Sequence, residues 1–117
     1  VSELFDRAMV LFNQDDDTEA LVLYDKILAI DPNHSRSHSC KGRIYTAAGM
    51  HQRAIECCET AIEIDPNNYE GHYGKGNALA AQRNLNEAIQ CFNKAIEINP
   101  QYSSAFYNKA HTLQTHG

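Results

Sequence analysis

Side chains able to ligate a metal or attack a carbonyl are scattered through this chain, and each grouping has a spacing that can be tested. Asn13, Asp15, Asp17 and Glu19 put oxygen-bearing side chains on alternate residues, which is how a calcium loop collects its ligands. Such a loop also needs a glycine at its sixth place and a bidentate glutamate at its twelfth. Thr18 and Tyr24 stand there, so the segment reads as a polar turn between helices. Of the six histidines, His34 and His38 have the i, i+4 spacing that metals use on a helix, but no third ligand accompanies them. The four cysteines, Cys40, Cys57, Cys58 and Cys91, form no C-x-x-C pair, and the neighbours Cys57 and Cys58 have poor geometry for a mutual bridge. They read as free thiols of a reducing compartment. With no basic and apolar leader at the start, that points to the cytoplasm. No local motif fixes a cysteine beside a histidine as a nucleophilic pair. The expectation is a chain with no catalytic residue, no metal and no cofactor.

Charge narrows the partners. The formal net charge is −5, and residues 1–34 carry eight acids against two bases, while 35–68 and 69–102 each balance. A nucleic-acid footprint needs a basic face, and none is present. The acidic opening reads as a solvated face, with attraction for a basic partner as its other use. No apolar run approaches the roughly 20 residues of a membrane helix.

The elements that must position these side chains announce themselves by repetition. Ala61-Ile62-Glu63-Ile64-Asp65-Pro66-Asn67-Asn68 recurs as Ile27–His34 and as Ala95–Tyr102, and the only prolines, Pro32, Pro66 and Pro100, are spaced by 34. Proline lacks an amide hydrogen and restricts the residue before it, so each copy ends a helix. A fixed period of this length means stacked units of supersecondary structure. Three units, 1–34, 35–68 and 69–102, are expected, followed by the first helix of a fourth over 103–117. The chain begins at Val1 and stops inside a unit, which reads as a piece of a longer protein. Small residues recur at the eighth place (Ala8, Gly42, Gly76, Ala110) and the twentieth (Ala20, Ala54, Ala88), where two helices must touch. Seven helices are expected near 2–14, 18–31, 36–48, 52–65, 70–82, 86–99 and 104–115. Asp17-Thr18 and Asn84-Leu85-Asn86 are expected to supply N-cap oxygens, and Gly49 a left-handed C-cap.

A 34-residue helix-turn-helix unit with small residues at places eight and twenty, an aromatic near twenty-four and proline at thirty-two resembles the tetratricopeptide repeat. Tyr73–Leu79 and Asn86–Pro100 match its pattern closely. The fourth place, often tryptophan in the family, holds Leu4, His38, His72 and Phe106, and Cys58 replaces the aromatic at twenty-four. The resemblance implies an all-α, right-handed superhelical solenoid whose first helices line a concave groove that binds a peptide or helix of another protein. Members that hold the C-terminal carboxylates of heat-shock chaperones use lysine, asparagine and arginine on three successive first helices. One register places Phe5, Met9, Cys40, Glu70 and Gly74 there, the other Ser39, Arg43, Gly74, Ser104 and Asn108. Neither makes that clamp.

By the same register the groove should present Phe5, Met9 and Phe12 at one end, then Arg36, Cys40 and Arg43, then Tyr73, Gly74 and Asn77, and last Tyr107, Asn108 and His111. A non-catalytic scaffold that binds a protein or peptide there is the leading expectation. The alternatives are a substrate-recognition arm of a larger enzyme, such as a protein O-glycosyltransferase, and a self-assembling array that associates through its half-covered last helix. Gly74 is expected to leave a dent for a partner's backbone. Gly71→Ala should stabilise the chain and Gly76→Ala destabilise it. Asn77→Ala and Arg43→Glu should weaken binding, and Glu59→Lys on the outer face should do little.

Overall fold

The computed structural model describes residues 1–116. Among these residues there are seven α-helices: α1 (Ser2–Asn13), α2 (Asp17–Ile30), α3 (Ser35–Ala47), α4 (His51–Ile64), α5 (Tyr69–Ala81), α6 (Leu85–Ile98) and α7 (Ser103–His116). Six of the helices end one residue earlier than the sequence pattern suggests, and α2, α4 and α6 show why. Asp31, Asp65 and Asn99 precede the prolines and are extended, with φ of −134°, −138° and −131°. A following proline disfavours the helical region for these residues. Each then uses its freed side chain locally: Oδ1 of Asp31, Asp65 and Asn99 accepts from the backbone N–H of Asn33, Asn67 and Gln101. These Asx turns lead the chain into the next odd-numbered helix.

Inside each pair, the chain reverses through one residue with positive φ. Gly49 (81°) fills that place as expected, but Asp15 (61°) and Arg83 (67°) adopt the same conformation with a Cβ to accommodate. The left-handed region costs a non-glycine residue about 1–2 kcal/mol, part of which glycine gives back through its freer unfolded chain. Arg83 is exposed, so Arg83→Gly is expected to raise the unfolding free energy by about 0.5–1 kcal/mol in urea melts. Unchanged or lowered stability would contradict the strain assigned to that turn.

The caps differ from expectation. Asp16, Met50 and Asn84 precede the even-numbered helices, and none makes a side-chain cap bond. Side-chain caps are found instead on α3 and α5. Nδ1 of His34 accepts from the Ser37 N–H at 3.3 Å and the Ser37 hydroxyl at 2.8 Å, and Oδ1 of Asn68 accepts from the Gly71 N–H at 3.2 Å.

α3 and α5 each pack against their own even partner and the even helix before it, α1 packs on α2 and α7 on α6, and α3 also packs on α5. The even helices make no comparable contact with one another. The odd helices therefore form the inner, concave row of a right-handed solenoid measuring 43 × 25 × 23 Å. Two apolar clusters run along the wall between the rows: Phe5, Ala8, Ala20, Tyr24, Ile27, Cys40 and Ile44 around α1–α3, and Ile55, Tyr73, Leu79, Ala88, Phe92 and Ala105 around α4–α7. Phe92 and Tyr24 are wholly buried, each beside the small residue at the eighth place of its own pair. On α7, Ala105 and Thr112 are buried while Phe106, Tyr107 and Leu113 stay 48, 73 and 48% exposed.

Candidate functional site

The concave row brings residues of several repeats within bonding distance. Its centre is Glu70, at the start of α5 and 8% exposed. Its carboxylate lies 3.2 Å from Nε of Arg36 and 3.6 Å from Nη1 of Arg43, both on α3. The guanidinium of Arg36 lies over the Phe5 ring at 4.7 Å, and that of Arg43 over Phe12 at 5.0 Å and Tyr73 at 5.9 Å. Aromatic rings of α1, cations of α3 and a carboxylate of α5 thus form one layer across three repeats, each cation held from below by a π-face and from the side by Glu70.

A second polar set joins α5 to α7. Nδ2 of Asn108 donates to the Tyr73 hydroxyl at 2.9 Å and to Oδ1 of Asn77 at 2.6 Å. Oδ1 of Asn108 and the side-chain N–H groups of Asn77 make no hydrogen bond among the described residues. Tyr73 is fixed by more than this bond, since its ring meets Tyr102 edge-on at 5.1 Å and tilts against Phe92 at 6.0 Å. Between the two sets lies a groove pocket of about 490 Å³, lined by Phe12, Asp15, Asp17, Arg43, Tyr73 and Asn77 among others.

The expected groove residues meet different fates here. Phe12, Arg43, Tyr73, Gly74 and Asn77 all line the pocket, and Arg36 and Asn108 flank it through the bonds above. Tyr107 and His111 are exposed further along α7. Met9 is turned partly into the wall, where its Sδ accepts from the Tyr24 hydroxyl at 3.2 Å and the Cys40 thiol at 3.7 Å. Three placements need correction. Cys40 is wholly buried and Phe5 is 8% exposed, so neither offers much to a partner. Gly74 leaves no dent, because a Cβ there would lie 2.8 Å from Sγ of Cys58; that thiol already fills the space. Glu59 pairs with Lys75 at 3.3 Å, so Glu59→Lys would set two ammonium groups together. Glu63 is exposed, is part of no ion pair among the described residues and is the cleaner outer-face control.

The thiols are poor nucleophiles. Burial pushes Cys58 up to about 12 and raises Cys40, Cys57 and Cys91 above the ordinary range, so none is a thiolate at neutral pH. Among the described residues no helix is long and apolar enough to cross a membrane. His34 and His72 are held below 6.5, chiefly by burial. The unfolded chain therefore binds more protons than the folded one over this range, so their contribution is whole above pH 6.5 and drains away as pH falls towards the folded value. Protonated Nδ1 also ceases to cap α3. His34→Asn, which copies Asn68 at the same place one repeat on, is expected to shrink the stability lost between pH 7.5 and 5.5. Urea melts at the two pH values check this, and an unchanged loss would contradict it.

Tetratricopeptide-repeat models match residues 4–34, 35–68, 69–102 and 91–117. The chain belongs to the tetratricopeptide repeat family. Comparison with curated proteins gave no significant match. Among solved structures, the first such domain of Spaghetti (RPAP3), bound to an HSP90 peptide, is 20% identical with a TM-score of 0.84, over 96% of this chain and 89% of that one. The corresponding domain of Sgt2 from Aspergillus fumigatus is 22% identical with a TM-score of 0.87, over 97% and 77%. The Thermobaculum terrenum O-GlcNAc transferase is 23% identical with a TM-score of 0.91, over 96% of this chain and 22% of the enzyme. At these identities the shared feature is the fold.

Proposed function

We propose that this chain is a non-catalytic interaction module that holds an extended segment of a partner protein in its concave groove. The observation that carries the reading is the Asn77–Asn108 pair. It leaves the side-chain N–H groups of Asn77 and Oδ1 of Asn108 without a partner among the described residues, donors and an acceptor of the kind that an extended segment's backbone needs. A side-chain amide pair meets backbone in this way whatever the partner's sequence, while the exposed Tyr107 ring adds flat apolar area. The RPAP3 domain bound to a peptide lends the reading support by analogy of fold.

Peptides selected by display against the chain and titrated calorimetrically test it. Asn77→Ala is expected to weaken selected peptides by about 1–3 kcal/mol, with Glu63→Gln neutral. Peptides indifferent to Asn77 but sensitive to the outer face would overturn the groove reading.

A second reading, a substrate arm of a larger glycosyltransferase, rests on the same asparagines, and a catalytic domain elsewhere in the parent protein would favour it. Self-association is a separate use of the exposed face of α7 that carries Phe106, Ala110 and Leu113. Sedimentation is expected to show a species that grows with concentration and is reduced by Phe106→Ser. A strict monomer at high concentration would contradict it.

A further inference from the structure

The groove's charges are unevenly spent, and from this we infer that the partner segment is cationic, with a lysine or arginine side chain seated in the pocket between α1, α3 and α5. This rests on the groove reading above and names the partner's chemistry. Both groove arginines are committed to one buried carboxylate: Glu70 lies within 3.2 Å of Arg36 and 3.6 Å of Arg43. Their π-faces are covered as well, by Phe5, Phe12 and Tyr73. The acids are in the opposite condition. Asp15 and Asp17 line the pocket but make no ion pair among the described residues. Asp6 on α1, exposed and in no ion pair among the described residues, stands at the place held by Cys40, Gly74 and Asn108 in the later repeats.

Arg36, Arg43 and Glu70 together keep one positive charge, and Asp15 and Asp17, in no ion pair among the described residues, outweigh it, so the balance around the pocket is negative. The pocket's shape suits a long basic side chain. At about 490 Å³ it has Phe12 and Tyr73 to pack an aliphatic stem and Asp15 and Asp17 to meet the charged head. Asn77, on the same wall, then takes the peptide backbone. The excess of eight acids over two bases in residues 1–34 steers such a segment towards the α1–α2 end, and the balanced later repeats do not oppose it. An acidic segment meets the reverse: it finds Glu70 already beside both arginines, and Asp15 and Asp17 along the pocket wall.

The test uses three fluorescein-labelled peptides of about thirteen residues, enough when extended at roughly 3.4 Å each to span the 43 Å long axis. One carries lysines spaced through a serine, alanine and leucine background, one carries glutamates at the same places, and one serines. Fluorescence anisotropy is read against salt. The lysine peptide is expected to bind at least about tenfold more tightly than the other two at low salt, with the advantage shrinking as salt rises. The double variant D15N/D17N should lose about tenfold of that affinity, while E56Q/E63Q, removing as much charge from the outer row, should lose little. Asp17 also sits in the first turn of α2, where a carboxylate favours the helix dipole, so melting of the variant is followed in parallel. The salt dependence of the unaltered chain tests the claim without any variant. Preference for the glutamate peptide, or equal binding of all three, would overturn the cationic reading and leave the groove reading standing. Binding of none would sink both.

Discussion

Gly42→Ala is expected to lower the unfolding free energy by about 2–3 kcal/mol, although alanine in a helix interior ordinarily gains about 1 kcal/mol over glycine. A Cβ at Gly42 would overlap Sγ of Cys58 and lie 3.2 Å from the Ala54 carbonyl oxygen. The carbonyl belongs to α4 and cannot step aside. The thiol cannot swing clear either, because Sγ is already close to where a Cβ on Gly74 would stand. Cys58 is thus wedged between the eighth place of its own pair and the inner face of α5. Gly76→Ala follows the same logic at smaller cost, since its Cβ would come 2.7 Å from the ring of the wholly buried Phe92. Gly71 changes sides in this comparison: its Cβ would meet Cγ1 of Ile62 at 3.2 Å, so crowding offsets the propensity gain and the stabilisation expected from composition shrinks to near zero. Urea melts of the three variants rank them. Stabilisation by Gly42→Ala would show that the helices are not in the close contact described.

Arg43→Glu is expected to cost about 2–4 kcal/mol of stability, in addition to any loss of binding. Glu70 is nearly buried and shares its charge between two guanidiniums. Replacing one with a carboxylate removes half of that compensation and brings like charges together in a site with little water. Arg43→Glu is therefore a poor probe of partner binding alone. Arg43→Glu with Glu70→Arg restores a pair of opposite sign and is expected to recover a large part of the loss, which a double-mutant cycle would read. Additive losses in the cycle would contradict the layer of Arg36, Arg43 and Glu70.

Most of the fold is legible from sequence because its causes are local or strictly periodic. The prolines and the residues before them end the even helices, and Gly49 marks the reversal at a place where Asp15 and Arg83 give no such signal. Gly76 and Phe92 are sixteen residues apart and belong to one repeat, so their contact follows from the helix pair alone. The site is less legible because its bonds join different repeats. Register assigns Arg36, Arg43 and Glu70 to the inner face but says nothing of how far α5 lies from α3, which is what turns three charges into one layer. The same limit explains Cys40 and Gly74, which face inward yet are covered by Met9 and Cys58. His34 was legible in principle: aligned with Asn68 it stands at the N-cap, but an imidazole there attracts attention as a metal ligand first.

The central claim, that the inner row holds a partner's extended segment, is tested most directly by mapping backbone amide shifts on titration with the lysine peptide. The largest changes are expected at Arg43, Tyr73, Asn77 and Asn108 and in the turn that carries Asp15 and Asp17. Changes confined to the exposed faces of α2, α4 and α6, with those inner positions unmoved, would contradict it.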